Sequence, residues 1–251
     1  MPENEEQIDL GEWDLIKAAQ KNRADVAALL IKRGDDVDIE TAIGSTPLHF
    51  ASEKNSLDVA ALLIDNGADI EAIFGSTKNR SIHCAALGNS TEVARLLIEH
   101  GADIEAKDYE GKTALHKTTL ENSQDVALLL ISQGADIERK ADIGWTPLHF
   151  ATWQNSEQMG QVLVSSGADI EAQSNQSGDR PLHLAAVYNC QNIARFLLGC
   201  GADIEAENND GLRPLHLASR GRSLEVAKLL IEHDSNTDGI DLSWMDDQED
   251  A

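Results

Sequence analysis

One histidine position dominates this chain. It recurs at His49, His83, His116, His149, His183 and His216, at spacings of 34, 33, 33, 34 and 33 residues. A second marker, Gly-Ala-Asp, recurs at Gly67, Gly101, Gly134, Gly167 and Gly201, with Gly-Asp-Asp at Gly34. Two interleaved markers with one period define a tandem array. A unit this short cannot bury its own apolar face, so it must stack on its neighbours. The two end copies are expected to differ where they meet water. The first reads Glu-Trp-Asp-Leu-Ile-Lys-Ala-Ala in place of the histidine motif, and the last reads Glu-His-Asp-Ser-Asn in place of the final glycine.

Each copy reads as two helices. In Thr46–Ala51 and Thr146–Ala151, threonine suits an N-cap and proline the first helical turn, which predicts a helix of about nine residues. An asparagine follows (Asn55, Asn89, Asn122, Asn155), with Asp58, Glu92, Asp125 or Gln158 three places on. That spacing resembles a capping box for a second helix, and asparagine also tolerates the left-handed conformation between helices. The second helix carries Val59–Ile64 and its echoes, and glycine ends it. A turn-rich link leads to the next copy.

Helix, tight turn, helix and link, with Thr-Pro-Leu-His opening the unit, resembles the ankyrin repeat. The resemblance covers residues 9–238. It implies an all-α ankyrin-repeat solenoid of stacked helix-turn-helix units with hairpin-like links. Seven repeats are expected, at 9–40, 41–73, 74–107, 108–140, 141–173, 174–207 and 208–240. An acidic arm, 1–8, precedes them and an acidic tail, 241–251, follows.

Little in the sequence carries catalysis. Gly111-Lys112-Thr113 has the ending of a phosphate-binding loop, but Ala106 stands where that loop needs its first glycine, and the tripeptide reads as a turn and an N-cap. Successive histidines lie one helix spacing apart, about 8–10 Å, whereas zinc ligands lie about 2 Å from one ion. They are therefore expected to bond the link of their own or a neighbouring copy. No nucleophile elbow occurs. The chain is expected not to be an enzyme, with no catalytic, cofactor or metal residues.

Composition bears on partners. The net charge of -24 repels nucleic acid and anionic membranes and favours a basic protein partner. Three cysteines without a C-x-x-C pair suit a reducing compartment. With no apolar leader or bilayer-length run, this points to the cytoplasm, with the nucleus also open, and a monomer is expected. Cys84 takes an apolar core slot, while Cys190 and Cys200 sit where thiols can be exposed. Aspartates 69, 103, 136, 169 and 203 form one file and glutamates 71, 105, 138, 171 and 205 another. They read either as a solvated face or as a binding stripe, with a small cost from like charges. The ankyrin pattern often has asparagine at the glutamate position, so the resemblance implies loss of an asparagine-hydroxylation site.

The resemblance also implies that a partner meets the concave side, made of hairpin tips and exposed first-helix positions. The matching slots give Lys112, Trp145 and Leu212 at tips, and Glu121, Trp153, Gln154 and Tyr188 at first-helix ends, with Tyr109 earlier on its tip. Aromatics make up only 4% of the chain, and Trp145, Trp153, Tyr188 and Tyr109 fill slots that the fold does not require to be aromatic. They are either a binding patch or buried between repeats. The expected function is a non-catalytic scaffold or adaptor for a partner with Lys/Arg-rich segments. The alternative is an inhibitor that masks a basic segment, similar to the ankyrin inhibitors of Rel-type transcription factors. The tail, with Ile240, Leu242, Trp244 and Met245 set among acids, either folds back on the last repeat or stays free.

Overall fold

The computed structural model describes residues 10–248, so the expected acidic arm lies outside the described residues, as do positions 249–251. The chain divides into two compact units, Met1–Tyr109 and Glu110–Ala251. The first unit holds three helix pairs: α1 (Leu15–Gln20) with α2 (Ala24–Arg33), α3 (Pro47–Glu53) with α4 (Leu57–Asp65), and α5 (Ser81–Leu87) with α6 (Thr91–Glu99). The second holds four: α7 (Ala114–Leu120) with α8 (Gln124–Ser132), α9 (Pro147–Trp153) with α10 (Glu157–Ser165), α11 (Pro181–Val187) with α12 (Gln191–Gly199), and α13 (Pro214–Gly221) with α14 (Leu224–Glu232). A 3-10 helix, Ser243–Gln248, follows. No strand forms among the described residues, and the hairpin character of the links reduces to one bridge, Phe74 to Asn79.

The first helices run six to eight residues, shorter than expected. The asparagine ends them early: Asn22, Asn55, Asn89, Asn122, Asn155 and Asn189 all have φ between 50 and 55°, where asparagine is among the few residues tolerated. Between α13 and α14 Arg222 takes that conformation instead. The asparagine does not form the expected capping box with its own second helix. Ser56, Ser90, Ser123 and Ser156 are the N-caps there. Its side chain reaches forward one repeat. Asn55 Nδ2 donates to Glu92 Oε2 at 2.8 Å, and Asn155 Oδ1 accepts from the amides of Asn192 and Ile193 at 3.1 and 3.2 Å. Asn189 Oδ1 accepts from Val226 N at 3.2 Å. Asn155 and Asn189 thus cap the next second helix, and Asn55 bonds a side chain on its first turn, joining turn geometry to inter-repeat packing.

The core is short and aliphatic. Leu48, Ala51, Val59, Ala60 and Leu63 are fully buried in one repeat, and Ile82, Ala85, Val93, Ala94 and Leu97 take the same places in the next. In α3, α5, α7, α9 and α11 the histidine ties the first helix to the following link, as expected from the sequence. His149 Nε2 meets the Asp179 carbonyl at 3.0 Å, and His49, His83 and His183 meet those of Ala72, Ala106 and Leu212 at 3.1, 3.0 and 3.0 Å. A carbonyl only accepts, so Nε2 carries the proton and Nδ1 is left as an acceptor. Nδ1 accepts from the backbone N–H of the N-cap residue, at 3.2 Å from Thr146 and 3.1 Å from Arg80. Where that residue is threonine, its hydroxyl donates too, at 2.8 Å in Thr46 and Thr146 and 2.9 Å in Thr113. The clamp requires a neutral ring. Burial pushes the His149 imidazole down to about 4 and lowers those of His49 and His183.

The tail folds back on the last repeat. Ser219 Oγ on α13 donates to the Asp241 carbonyl at 2.5 Å, and so does Trp244 Nε1 at 3.2 Å. Trp244 is left 7% exposed.

Candidate partner-binding surface

Trp145 occupies the tip just before Thr146, the N-cap of α9, and Trp153 ends that helix. Two carbonyl bonds fix the Trp145 backbone, from His116 Nε2 at 3.2 Å and from Ala141 N at 2.9 Å. Its ring stacks on His149 with centroids 6.5 Å apart, meets Phe150 edge-on at 5.2 Å and tilts against Trp153 at 6.4 Å. Phe150 is buried beneath. Lys112 Nζ lies 5.0 Å from the Phe150 centroid and pairs with Glu110 at 2.7 Å. One cluster therefore joins Trp145, Phe150, Trp153 and Lys112.

The two sequence alternatives for the aromatics divide between residues. Trp145 is half-buried, and its packing on His149 and Phe150 makes it a support. Trp153 at 41% and Tyr188 at 48% exposure present themselves to solvent. Tyr188 is the C-cap of α11, which packs against α9. The one S–H of Cys190 is shared between the carbonyls of Trp153 and Tyr188, with Sγ at 3.7 and 3.6 Å, where these two helix ends meet. This thiol is buried, contrary to the exposed site expected of it, in the N-cap slot where Ser56, Ser90, Ser123 and Ser223 are buried in other copies; burial also raises its pKa. Cys84 is buried as expected and Cys200 is exposed.

The remaining candidates are spread out. Glu121 and Gln154 are exposed at first-helix ends. Leu212 is half-buried, its N–H bonded to Asn208 Oδ1 at 3.0 Å and its carbonyl to His183. Tyr109 belongs to the first unit, 68% exposed, with its N–H on the Thr77 carbonyl at 2.8 Å. The tip slot is not uniformly exposed: Ser45 and Asn79 are buried in it. Sequence reasoning passed over a second apolar surface in the first unit. Ile43 and Ile73 are exposed there, and Ala42, Ile43, Phe74 and Thr77 line an open cavity of about 410 Å³. Isoleucines in turn-rich links, beside the extra length of the 34-residue copy, were the available signal.

The acidic files form a bonded ladder. Asp69 Oδ1 accepts from Glu71 N at 2.9 Å, and Glu71 Oε1 accepts from Asp103 N at 2.9 Å. In the second unit Glu138 and Glu171 each accept the amide of the next repeat's aspartate, Asp169 and Asp203, at 2.8 Å. Glu205 accepts Asn236 N and Ser235 Oγ, both at 2.8 Å. Three arginines replace the N-cap threonine and reach the ladder. Arg80 bonds Glu71 at 2.5 Å with Asp103 at 3.5 Å, Arg180 bonds Glu171 at 2.5 Å with Asp203 at 3.8 Å, and Arg213 bonds Glu205. The like-charge cost expected from sequence is thereby offset on those rungs. The contrast shows in the two carboxyl groups' environments. Burial opposes ionisation of Glu205, yet Arg213, the Asn236 amide and Ser235 together hold it below the usual range. Glu138 is pushed up, by burial first and then by Asp169 and Asp136.

Among the described residues no group of three or more His, Cys, Asp or Glu side chains is placed to hold a metal ion. What the second unit presents is two exposed rings on a rigid support, in an acidic chain.

A family model described as ankyrin repeats (three copies) matches residues 4–74, 74–141, 110–174, 139–208 and 172–241. Among solved structures, the ankyrin repeat domain of Bcl-3, titled a unique member of the IkappaB protein family, is 31% identical. The match has a TM-score of 0.72 and covers 88% of this chain and 99% of that one. The human ASB11 ankyrin repeat domain matches at 22% identity and a TM-score of 0.79, over 89% and 99%, a likeness of fold. No curated protein matches.

Proposed function

Because the chain belongs to the ankyrin repeat family, whose domains generally mediate protein–protein interaction, we propose that it is a non-catalytic scaffold whose second unit grips a protein partner through Trp153 and Tyr188. The observation that carries this is the pair itself: two large rings exposed at the adjoining ends of α9 and α11, in a chain with few aromatics. Solvent-facing tryptophan and tyrosine on a rigid base are the composition of interface hot spots. The net charge of -24 favours a partner with Lys/Arg-rich segments and predicts faster encounter at low salt. Glu121 and Gln154 supply polar rim contacts, and the proposed face is the concave one. We place the protein, as a monomer, in the cytoplasm or nucleus.

The test compares proteins captured by the tagged wild type and by Trp153→Ala/Tyr188→Ala, with the fold of each checked by circular dichroism. A hot spot of about 2 kcal/mol means roughly thirtyfold weaker binding, so the specific partner should vanish from the variant. Equal recovery with an intact fold contradicts the reading.

The likeness to a member of the IkappaB family favours a second reading, an inhibitor that masks a basic segment of a regulatory protein. Adding the purified chain to its partner distinguishes the two: an inhibitor lowers the partner's activity, and a scaffold leaves it unchanged.

A further inference from the structure

We propose that Ser243 is a phosphorylation site for an acid-directed serine/threonine kinase, and that the phosphate releases the docked tail. Three serines in the chain have an acid at the third following position: Ser166, Ser235 and Ser243. Ser235 is buried, with its hydroxyl on Glu205. Ser166 is the C-cap of α10, held by backbone bonds to Val162 and Leu163. Ser243 is exposed, and acids follow it at Asp246, Asp247, Glu249 and Asp250. The third and fourth following places are those that a kinase with a basic substrate groove reads by charge.

The geometry supplies the consequence. Asp241 is the knot of the tail. Its carboxylate Oδ1 accepts from both Ser243 N at 3.0 Å and Ser243 Oγ at 2.7 Å. Its carbonyl accepts from Ser219 on α13 and from the Trp244 indole. In the transfer, Ser243 Oγ attacks the γ-phosphorus of ATP. The bond from oxygen to phosphorus forms as that to the β,γ-bridging oxygen breaks, ADP leaves, and the hydroxyl proton passes to the kinase base. The product has lost the hydrogen that Oγ gave to Asp241 and has gained close to two negative charges beside that carboxylate. Arg222 already holds the Asp241 carboxyl low, after the Ser243 bonds themselves, and one exposed cation does not balance carboxylate and phosphate together. The turn opens, its two carbonyl bonds go with it, and Trp244 leaves its buried place for solvent. The tail then becomes an accessible acidic segment bearing Ile240, Leu242 and Trp244.

The test uses the full chain in two arms. Incubation with ATP and a purified kinase of the casein kinase type should add one phosphate to the wild type and none to Ser243→Ala. Phosphate retained in Ser243→Ala, or none in the wild type, overturns the site. Separately, phosphoserine is installed at 243 during translation, and hydrogen exchange is followed by mass spectrometry. Amide exchange over 240–248 should quicken at least about tenfold, with α9 to α12 unchanged. In Asp241→Asn the quickening should be smaller. Unchanged exchange overturns the release, and slower exchange would mean that Arg222 captures the phosphate and would overturn it equally.

Discussion

The repeats opening with threonine and those opening with arginine share the helix pair and the bond from the N-cap N–H to the histidine Nδ1, but they handle charge differently. In the threonine type, at Thr46, Thr113 and Thr146, the hydroxyl reinforces the clamp by donating to the histidine. In the arginine type, at Arg80, Arg180 and Arg213, that bond is absent and the side chain goes to the acidic ladder. One position thus serves either the local helix or the contact between repeats. The aromatic cluster stands on a threonine-type repeat, where Trp145 lies over a doubly bonded histidine. The family scaffold is constant, and what this chain does with its surface is written in such exchanges.

The largest test of the comparison is pH. His149 has a folded pKa of about 4, against about 6.5 unfolded. The unfolded state therefore binds the extra proton between these values, and stability falls as pH drops through that window while staying level above it. At about 1.4 kcal/mol per pH unit, this one site is worth about 3 kcal/mol between pH 6.5 and 4. Urea denaturation of the wild type and of His149→Gln across that range checks it, and the same pH dependence in both would remove the neutral clamp from the account.

Next in size is Arg180→Ala. It strips the cation from Glu171 and Asp203 and should destabilise by about 2 kcal/mol, the scale of a hydrogen bond to a charged group. Thr146→Ala should cost about 1 kcal/mol, through the hydroxyl given to His149. Asn155→Ala should cost a similar amount of about 1 kcal/mol, and should loosen the start of α12 rather than that of α10. Hydrogen exchange resolved by helix separates those two sites. The smallest effect sharpens the comparison most. Glu138→Gln keeps an acceptor for the Asp169 amide and removes a charge that burial and Asp136 disfavour, so stability should change by under about 0.5 kcal/mol. Glu171→Gln, on an arginine-clipped rung, should destabilise measurably in the same titration.

The sequence made the fold legible because its signals are local and repeated: a threonine or proline before the histidine, an asparagine between helices, a glycine after them. Contacts that cross between repeats were harder to read. The partner of Asn155 lies 37 residues on, at Asn192, so the nearer Gln158 took its place in the capping-box expectation. The role of Arg180 depends on Glu171, nine residues upstream, and the coincidence of arginine in the threonine slot was the unused signal. The exposure of Trp153 and Tyr188 was legible because the fold does not require rings in those slots, whereas Trp145 lies on the rings beneath it. Burial of Cys190 has no marker in its own neighbours along the chain and shows only in the slot it shares with Ser56, Ser90, Ser123 and Ser223.

Hydrogen exchange of the chain with and without its captured partner tests the binding face most directly. Protection should be strongest at 153–154 and 187–189, where the helix ends carry Trp153 and Tyr188. Protection that leaves those residues untouched while covering other parts of the second unit would contradict the account.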